Sequence, residues 1–553
     1  MLASRPTSLI YAREEAVPGR HARSRQWLWE ALAVAAIVLV ALLLRTYHLT
    51  TVPPGLHGDE ATTGLESERI LREGNIGPYS PEALGQPSGP FYLIALAVRL
   101  LGPTVLAVRI VPALLGTLTV LALFFIIRRA YGPAAALAGA ALLATQEWHL
   151  HYSRIGFPLA SWPLVAVLTA GALVEALRRN DWRWWGLVGL FLGLGVYCYN
   201  SHPLFLAITA LFVALAVCVG SWRARVVRGT VWRLVPVLAL PIMLMLVALP
   251  MLQYAADPVN DYTAHARGVS VANLAAWRQL TGFAPRARFL ADRYGTYWDQ
   301  VCCHPRVDGV DGSGTLPLLP PPLLALAAVG AIIGCCQRRG RPLALFGVCV
   351  VLLLPLSAVL TIDGAARRTF ALAPFVALFA ALALTWPLTR VRAALGAARG
   401  HTIFLPTLGL AAAAVIAALA YGSIAGYFGH FAQSQEVRWT FAVEMVEASR
   451  YLATLPPESR IYWYAGRWHA DYEVRRYLAP GVAIEERGVN PDARDELAIT
   501  PGVGPVVFLF MGNHLSQIEA VRVRYPGGLT IVGGPEEKPG FLAYRLDAAA
   551  TGR

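Results

Sequence analysis

Two adjacent carboxylates, Asp59 and Glu60, follow the first long apolar segment of the chain, in the run His57-Gly58-Asp59-Glu60. An acidic pair held at a membrane surface is costly to dehydrate, so it either faces water in an ordinary loop or takes part in chemistry there. A carboxylate whose pKa is tuned by its surroundings can take the proton of a hydroxyl as a general base. On that second interpretation, Asp59 and Glu60 are catalytic residues.

Three arginines are candidates for binding an anion. Arg154 follows Tyr152 and Ser153, and Arg367 and Arg368 are adjacent four and five residues after Asp363. Both positions are predicted to face outward, where the charge rule for membrane proteins does not expect Arg. A forked guanidinium suits a phosphate. The alternatives are a snorkelling role for Arg154 and pairing with Asp363 for the other two.

Other polar residues are weaker candidates. His202 interrupts an apolar run at a predicted outer turn, where it is either a substrate contact or a turn histidine. Asp308 and Asp311 lie in a Gly-rich loop and are either ligands of a divalent cation or turn residues. The seven Cys contain no CxxC spacing and indicate no metal site. No cofactor is therefore predicted, and a divalent cation is left open.

The composition is that of a membrane protein. Of the 553 residues, 56% are hydrophobic and only 15% are charged, whereas a soluble domain has about 25% charged residues. The net charge of +13 could indicate nucleic acid. However, the Arg residues fall in short clusters between apolar runs, as the positive-inside rule demands. The predicted partner is therefore the lipid bilayer, and nucleic acid is not expected.

Apolar stretches of about 17–25 residues are candidate membrane spans. We predict about eleven transmembrane helices, and hence a mainly α-helical polytopic protein. They are placed at 27–46, 105–127, 134–148, 157–177, 185–199, 203–220, 234–252, 316–336, 342–361, 370–388 and 403–421.

The charge pattern predicts the orientation of these spans. Alternate connections are rich in Arg and poor in acid, which places the N-terminus in the cytoplasm and the C-terminus outside. The loop that contains Asp59 then lies outside, as does a second long loop at 253–315. The first segment has no small-residue cleavage pattern after it and is predicted to be a retained anchor. We expect a multi-pass protein of a bacterial inner membrane.

The composition divides the chain into three predicted parts. Residues 1–26 form a cytoplasmic N-terminal segment, and 27–429 form a transmembrane catalytic domain with long outer loops at 47–104 and 253–315. After about residue 430, short β-rich runs alternate with helical patterns, as at 460–464, 506–510, 529–532 and 541–544. Residues 430–553 are therefore predicted to be a small extracytoplasmic α/β domain.

Features that are missing from the sequence also bear on function. The chain contains no phosphate-binding GxxxxGK[ST] motif, so a cytosolic ATPase is not expected. The predicted spans contain few acidic residues, whereas an ion-coupled transporter needs such residues along its ion pathway.

The motifs resemble those of the GT-C membrane glycosyltransferases, in particular the family 39-like branch that includes protein O-mannosyltransferases and aminoarabinose transferases of lipid A. The Asp-Glu pair is followed by Gln86-Pro87-Ser88-Gly89-Pro90-Phe91-Tyr92, with Gln86 where the family usually has His. The resemblance covers roughly residues 27–420. It is also supported by Leu101-Gly102 followed by Val108-Arg109-Ile110-Val111-Pro112-Ala113-Leu114, by Tyr152-Ser153-Arg154, and by Arg367-Arg368-Thr369 with Ala373-Pro374.

The resemblance implies that a sugar passes from a polyprenyl-phosphate carrier to a hydroxyl of a glycan, lipid or protein outside the membrane, by an inverting single displacement. It implies that Asp59 is the catalytic base and that Glu60 is its neighbour in the acceptor or sugar site. Arg154 and Arg367 or Arg368 would hold the leaving phosphate. Further candidate substrate contacts are His57, Gln86, Tyr152 and His202.

Three other functions remain as alternatives. A lipid-linked oligosaccharide ligase or polymerase would move a preformed glycan rather than a single sugar. A transporter or flippase fits the number of spans but not the two long outer loops and the outer domain. A sensor would use the outer domain to bind a ligand, although eleven spans are many for an anchor.

Overall fold

The computed structural model describes residues 20–218, 231–305, 309–311, 317–395, 404–487, 497–499, 504–535, 537 and 539–547. Most of the predicted cytoplasmic segment 1–26 lies outside the described residues, and so does Asp308.

Helices form most of the described chain. The helices up to the end of the predicted spans are α1 (Arg20–Thr46), α2 (Gly58–Glu73), α3 (Gly89–Leu101), α4 (Val105–Tyr131), α5 (Pro133–Thr145), α6 (Glu147–Tyr152), α7 (Trp162–Arg179), α8 (Trp182–Gly195), α9 (His202–Cys218), α10 (Ala239–Ala256), α11 (Ala264–Gly268), α12 (Ala275–Gln279), α13 (Phe283–Cys302), α14 (Pro321–Cys336), α15 (Arg341–Leu353), α16 (Leu356–Val359), α17 (Ala373–Leu395) and α18 (Phe404–Ala425). Short 3-10 helices occupy Pro158–Ser161, Val231–Leu238, Pro258–Asn260, Val271–Asn273 and Ala366–Leu372, and a π-helix Gly426–Phe431 extends α18.

Each of the eleven predicted spans falls on a helix. In the part of the chain that the structure describes, seven helical segments are long and apolar enough to cross a membrane: Trp27–Thr46, Val105–Tyr131, Pro158–Arg179, Val235–Ala256, Arg341–Val359, Ala366–Val391 and Leu405–Phe431. The other four predicted spans coincide with α5, α8, α9 and α14, which are 13 to 17 residues long. The predicted multi-pass, mainly helical fold is confirmed.

The loop between α1 and α4 is largely folded. It contains α2, α3 and a short antiparallel pair of strands, β1 (Tyr79–Ser80) and β2 (Gln86–Pro87). The apolar side chains of Ile70, Ala83, Phe91 and Ala95 form a small buried cluster between α2 and α3. These apolar side chains hold α2 against α3.

The C-terminal part contains a five-stranded sheet, which confirms the predicted small α/β region. The strands are β3 (Arg460–Ala465), β4 (Ala483–Glu486), β5 (Val506–Met511), β6 (Leu529–Gly533) and β7 (Phe541–Leu546), and their order in the sheet is β4-β3-β5-β7-β6. The first three are parallel, and β7 is antiparallel to both β5 and β6. The helices around the sheet are α19 (Gln435–Thr440), α20 (Val443–Leu452), α21 (Glu473–Leu478) and α22 (Ile518–Arg524), with a 3-10 helix at Gly512–Gln517.

Four of these five strands coincide with the β-rich runs of the sequence. The exception is β4, an edge strand of four residues with mostly exposed side chains. A short exposed edge strand has neither the length nor the buried alternation that signals a strand in a sequence.

The sheet and the helices around Asp59 share one hydrophobic core. Leu56, Ile94 and Val108 are buried together with Trp463 and Tyr477 of the C-terminal part. The opposite face of the sheet packs beneath α22. The C-terminal sheet is therefore built onto the helix that carries Asp59.

A glycine allows this close contact. A Cβ atom added to Gly64 of α2 would lie 2.5 Å from the ring of Tyr477 in α21. Real Cβ atoms essentially never come so close, so a larger residue would push the two helices apart. The Tyr477 hydroxyl also donates a hydrogen bond to the carbonyl of Thr104, which ties α21 to the start of α4.

Candidate active site at the start of α2

Asp59 lies in the first turn of α2. His57 is the N-cap residue, and its Nδ1 accepts a hydrogen bond of 3.0 Å from the backbone N–H of Asp59. The positive end of the helix dipole favours a carboxylate at this place. The Asp59 side chain is 47% exposed, and its Oδ1 lies 3.9 Å from Nδ1 of His57. The carboxylate is therefore open to a substrate.

Glu60 has the opposite environment. Its side chain is fully buried, and its two oxygens lie 2.8 and 2.9 Å from Nε and Nη2 of Arg109. They also accept hydrogen bonds from the backbone N–H groups of Gly156 and His57. Burial raises the pKa of Glu60, but the charge of Arg109 and these hydrogen bonds outweigh it and lower the pKa below its ordinary value.

Arg109 also binds the segment that precedes α2. Its Nη1 donates to the carbonyls of Leu49 and Pro53, and its Nη2 donates to the carbonyl of Gly55. Arg109 belongs to α4, so the Glu60–Arg109 ion pair fixes the start of α2 relative to that helix. Glu60 is therefore engaged in a buried ion pair, one residue away from the exposed Asp59.

Two clefts meet at Asp59. The first reaches from Asp59 to Arg367. The second lies between α2 and α21. The first is lined by Asp59, Thr62, Thr63, Ala83, Leu84, Gln86, Phe91, Phe157, Pro158, Leu159, Tyr199 and Arg367. The second is lined by His57, Gly58, Asp59, Thr62, Leu65, Glu66, Arg69, Arg72, Glu82, Leu84, Tyr472, Glu473 and Arg476.

Arg367 brings a positive charge into the first cleft. Its Nη1 lies 3.2 Å from Oδ1 of Asp311, and its Nη2 lies 3.4 Å from Oδ2 of Asp363. The hydroxyl of Tyr152 donates a hydrogen bond of 2.5 Å to Oδ1 of Asp311. Asp311 is buried, whereas the side chain of Arg367 is 29% exposed. Tyr152 and Asp311 thus orient a guanidinium that remains accessible from the cleft.

Arg368 lies behind Arg367. Its Nε and Nη2 each lie 3.3 Å from an oxygen of Asp363, and among the described residues it is not part of the lining of either cleft. Burial raises the pKa of Asp363, but the charge of Arg368 and its hydrogen bonds outweigh this and lower the pKa to about 2. The pairing with Asp363 that was an alternative for both arginines is present in the structure.

Arg154 is buried outside the two clefts. Its guanidinium donates to the backbone carbonyls of Leu44, Tyr47 and Val52, and it lies 4.8 Å from the ring centroid of Phe428. These contacts join the end of α1 to the chain that leads toward α2. Its predicted contact with phosphate stays a prediction.

The remaining candidate substrate contacts are divided between the clefts and the core. Gln86 lines the first cleft, and His57 lines the second. His202 is buried, where its Nδ1 accepts a hydrogen bond of 3.1 Å from Nε1 of Trp162 and its Nε2 lies 2.9 Å from the carbonyl of Leu192. The structure brings Asp59, Gln86 and Arg367 together and places His202 elsewhere.

The sequence did not indicate the wall of the second cleft that α21 provides. Tyr472, Glu473 and Arg476 lie some 400 residues after Asp59 in the chain, and no local motif links the two segments. Burial and the negative charges of Glu473 and Asp59 raise the pKa of Tyr472 to about 12. Its phenol therefore keeps its proton and can donate a hydrogen bond into the cleft.

The site also bears on the question of a cation. Among the residues that the structure describes, no three His, Cys, Asp or Glu side chains come together as a metal-binding group. Asp311 instead accepts hydrogen bonds from Tyr152, Arg367 and the backbone N–H of Ala366.

Comparisons with known proteins bear on both the sequence and the fold. Residues 85–250 match the family described as dolichyl-phosphate-mannose-protein mannosyltransferase. No curated protein matches the chain by sequence.

Two solved structures share the fold over most of the chain. ArnT from Cupriavidus metallidurans, bound to undecaprenyl phosphate, matches with a TM-score of 0.51 and 12% identity, over 95% of this chain and 99% of that one. The oligosaccharyltransferase of Archaeoglobus fulgidus matches with a TM-score of 0.51 and 15% identity, over 91% of this chain and 73% of that one. At this identity the likeness concerns the fold.

Proposed function

We propose that this chain is a GT-C membrane glycosyltransferase that transfers a sugar from a polyprenyl-phosphate donor to the hydroxyl of an acceptor. The family match over residues 85–250 and the shared fold support the superfamily and the enzyme class that the motifs predict. The undecaprenyl phosphate bound to ArnT supports a polyprenyl-phosphate donor here. The acceptor class, the reaction face and the site residues belong to the proposal.

The observation that carries the proposal is the position of Asp59 at the junction of the two clefts. A transferase must bring two substrates to one reacting centre. The first cleft contains Arg367, which suits the phosphate of a donor. The second cleft contains hydrogen-bonding and charged groups from α2 and α21, which suit a polar acceptor. A base at the junction can reach an acceptor hydroxyl that faces the donor.

The proposed reaction is a single displacement. Asp59 takes the proton of the acceptor hydroxyl while the oxygen forms a bond with the anomeric carbon of the sugar. The bond between that carbon and the phosphate oxygen breaks, and its electron pair remains on the phosphate. Arg367 stabilises the charge that grows there. Attack opposite to the leaving phosphate inverts the anomeric centre.

The other predicted residues take supporting roles in this proposal. Glu60 and Arg109 hold the first turn of α2, so that Asp59 keeps its place between the clefts. Tyr152 holds Asp311, which in turn orients Arg367. Arg368 holds Asp363, which also contacts Arg367. Arg154 holds the end of α1, close to the segment that Arg109 also binds.

We further propose that the reaction takes place on the extracytoplasmic face of a bacterial inner membrane. The support is the charge pattern of the sequence, which places the Arg-rich connections inside and the loop of Asp59 outside. The C-terminal sheet shares a core with that loop, and the two must therefore lie on the same side. Labelling of single Cys variants at exposed residues of α2 and α22 by a membrane-impermeant thiol reagent would test this placement.

The transfer itself can be tested with purified protein in detergent. Radiolabelled polyprenyl-phosphate sugars are incubated with the protein and with lipid, glycan and protein fractions of the host envelope. The proposal expects that one fraction becomes heavier by a single sugar and that the donor is consumed. A product with many added sugars would indicate a ligase or polymerase instead. An unchanged donor with every fraction would contradict transfer and favour a transporter.

A further inference from the structure

A groove opens between α4, α7 and α8, far from Asp59. The groove can be located along α4, because Arg129 lines it near the end of this helix whereas Arg109 lies near the beginning. A helix rises 1.5 Å per residue, so these two residues are roughly 30 Å apart along α4. The groove therefore lies toward the opposite end of the bundle from the Glu60–Arg109 pair and is separate from the two clefts of the proposed active site.

The body of the groove is apolar. Phe125 of α4 is 58% exposed and lies on this surface. In a helix that spans the membrane, such a side chain faces lipid chains rather than water. Hydrocarbon is therefore the expected contact for this part of the groove. Its other large apolar lining residues are Ile126, Leu168, Val174, Leu187 and Phe191.

The rim of the groove is cationic. Glu175 accepts contacts from three guanidinium groups, at 3.2 Å from Arg129, 3.1 Å from Arg178 and 2.7 Å from Arg179. Among the described residues that line the groove, one carboxylate stands against three guanidinium groups, which is an excess of two positive charges. Arg129 and Arg179 are 49% and 53% exposed, so N–H groups that Glu175 does not use remain accessible.

An aromatic residue marks the same rim. The guanidinium of Arg179 lies 5.3 Å from the ring centroid of Trp184, which also lines the groove. Trp residues are enriched where a helix passes from hydrocarbon to headgroups. We therefore expect the cationic rim at headgroup level and the apolar walls beside the hydrocarbon.

We propose that this groove binds an anionic phospholipid. The phosphate contacts Arg129 and Arg179, and the acyl chains lie along Phe125 and Phe191. Basic pockets between transmembrane helices are suited to anionic headgroups. The apolar walls favour a lipid over a soluble phosphate, because a soluble ion would leave them without a partner. The site is independent of the proposed sugar transfer.

The test is native mass spectrometry of the full-length protein in detergent with dioleoyl phosphatidylglycerol and dioleoyl phosphatidylethanolamine. The wild type should retain the anionic lipid at least fivefold better than the zwitterionic one. The double variant R129Q/R179Q should lose most of that preference. The control R390Q removes an exposed Arg that lies 5.4 Å from the ring of Trp386 on α17, away from the groove, and should keep the preference.

Equal retention of the two lipids by the wild type would overturn the proposal. So would an unchanged preference in the double variant, or an equal loss in R390Q. Glycerol 3-phosphate, which has the headgroup without chains, should not displace the lipid, and displacement would overturn the role of the apolar walls. If the double variant fails to fold, the salt dependence of the wild type decides: a preference that does not fall with added salt also overturns the proposal.

Discussion

Asp59 and Glu60 are neighbours in the chain, but Glu60 is fully buried against Arg109 whereas the side chain of Asp59 is 47% exposed. The difference follows from their positions in the first turn of α2. Successive residues of a helix point about 100° apart, so one side chain faces α4 while the next faces the clefts. The buried member holds the helix, and the exposed member is the one that can reach a substrate.

Loss of the buried carboxylate should destabilise the protein. Glu60→Gln keeps the size of the side chain but leaves the Arg109 charge without its counter-ion in a buried place. Breaking a buried ion pair on one side costs about 3–5 kcal/mol. Thermal unfolding in detergent should show a clear drop in the midpoint. The double variant Glu60→Gln/Arg109→Gln should lose less than the sum of the two single variants, and strict additivity would mean that the pair does not act as a unit.

The two adjacent arginines should differ in their effect on the donor. Arg367 lines the first cleft, whereas Arg368 is engaged with Asp363 behind it. A hydrogen bond to a charged group contributes about 1.5–3 kcal/mol. Arg367→Gln should therefore weaken use of the polyprenyl-phosphate sugar about ten- to a hundredfold. Arg368→Gln, the matched control, should have a smaller effect. Steady-state kinetics with varied donor would measure both, and a larger loss in Arg368→Gln would contradict this assignment.

The second cleft should affect only the acceptor. Arg476→Glu reverses one charge in the wall that α21 provides and should raise the KM for acceptor without changing the KM for donor. Arg522→Glu is a suitable control, because Arg522 is exposed on α22, away from the cleft, and pairs with Glu519. A change in the KM for donor alone would show that the two clefts are assigned the wrong way round.

The ion pair between Asp363 and Arg368 should make the stability of the protein depend on pH in the acidic range. The folded-state pKa of Asp363 is about 2, below the ordinary value of 3.8. A depressed pKa means that the stabilisation is present above pH 3.8 and is lost as the pH falls toward 2. Unfolding midpoints of the wild type and Asp363→Asn should therefore differ at neutral pH and converge between about pH 4 and pH 2. A difference that does not change with pH would contradict the ion pairing with Arg368.

The sequence predicted the helices and strands of this fold better than the contacts between residues that are distant in the chain. Long apolar runs indicated the helices, and β-rich runs indicated β3, β5, β6 and β7, because both signals are local. The partner of Glu60 was not predicted, because Arg109 is 49 residues away in the chain. An acidic pair and an isolated Arg show no pairing until the fold brings α2 and α4 together.

The same limit applies to the rest of the site. The exposed position of Arg367 depends on Asp311, which the sequence offered only as a turn residue or cation ligand. The contact of α21 with α2 depends on the absence of a side chain at Gly64. The sequence alone does not indicate that another helix packs at this position. Asp59 was predicted as the base from its motif and from its place after the first apolar segment. Its role stays a prediction.

Sugar transfer by the Asp59→Asn variant is the most direct test of the central claim. The variant keeps the size of the side chain and should fold normally, because the carboxylate is half-exposed and outside the Glu60–Arg109 pair. The control Glu73→Gln removes an exposed carboxylate at the other end of the same helix. With purified protein and a radiolabelled polyprenyl-phosphate sugar, kcat should fall about 10²–10⁴-fold in Asp59→Asn and stay unchanged in Glu73→Gln. Wild-type kcat in a folded Asp59→Asn protein would contradict the account.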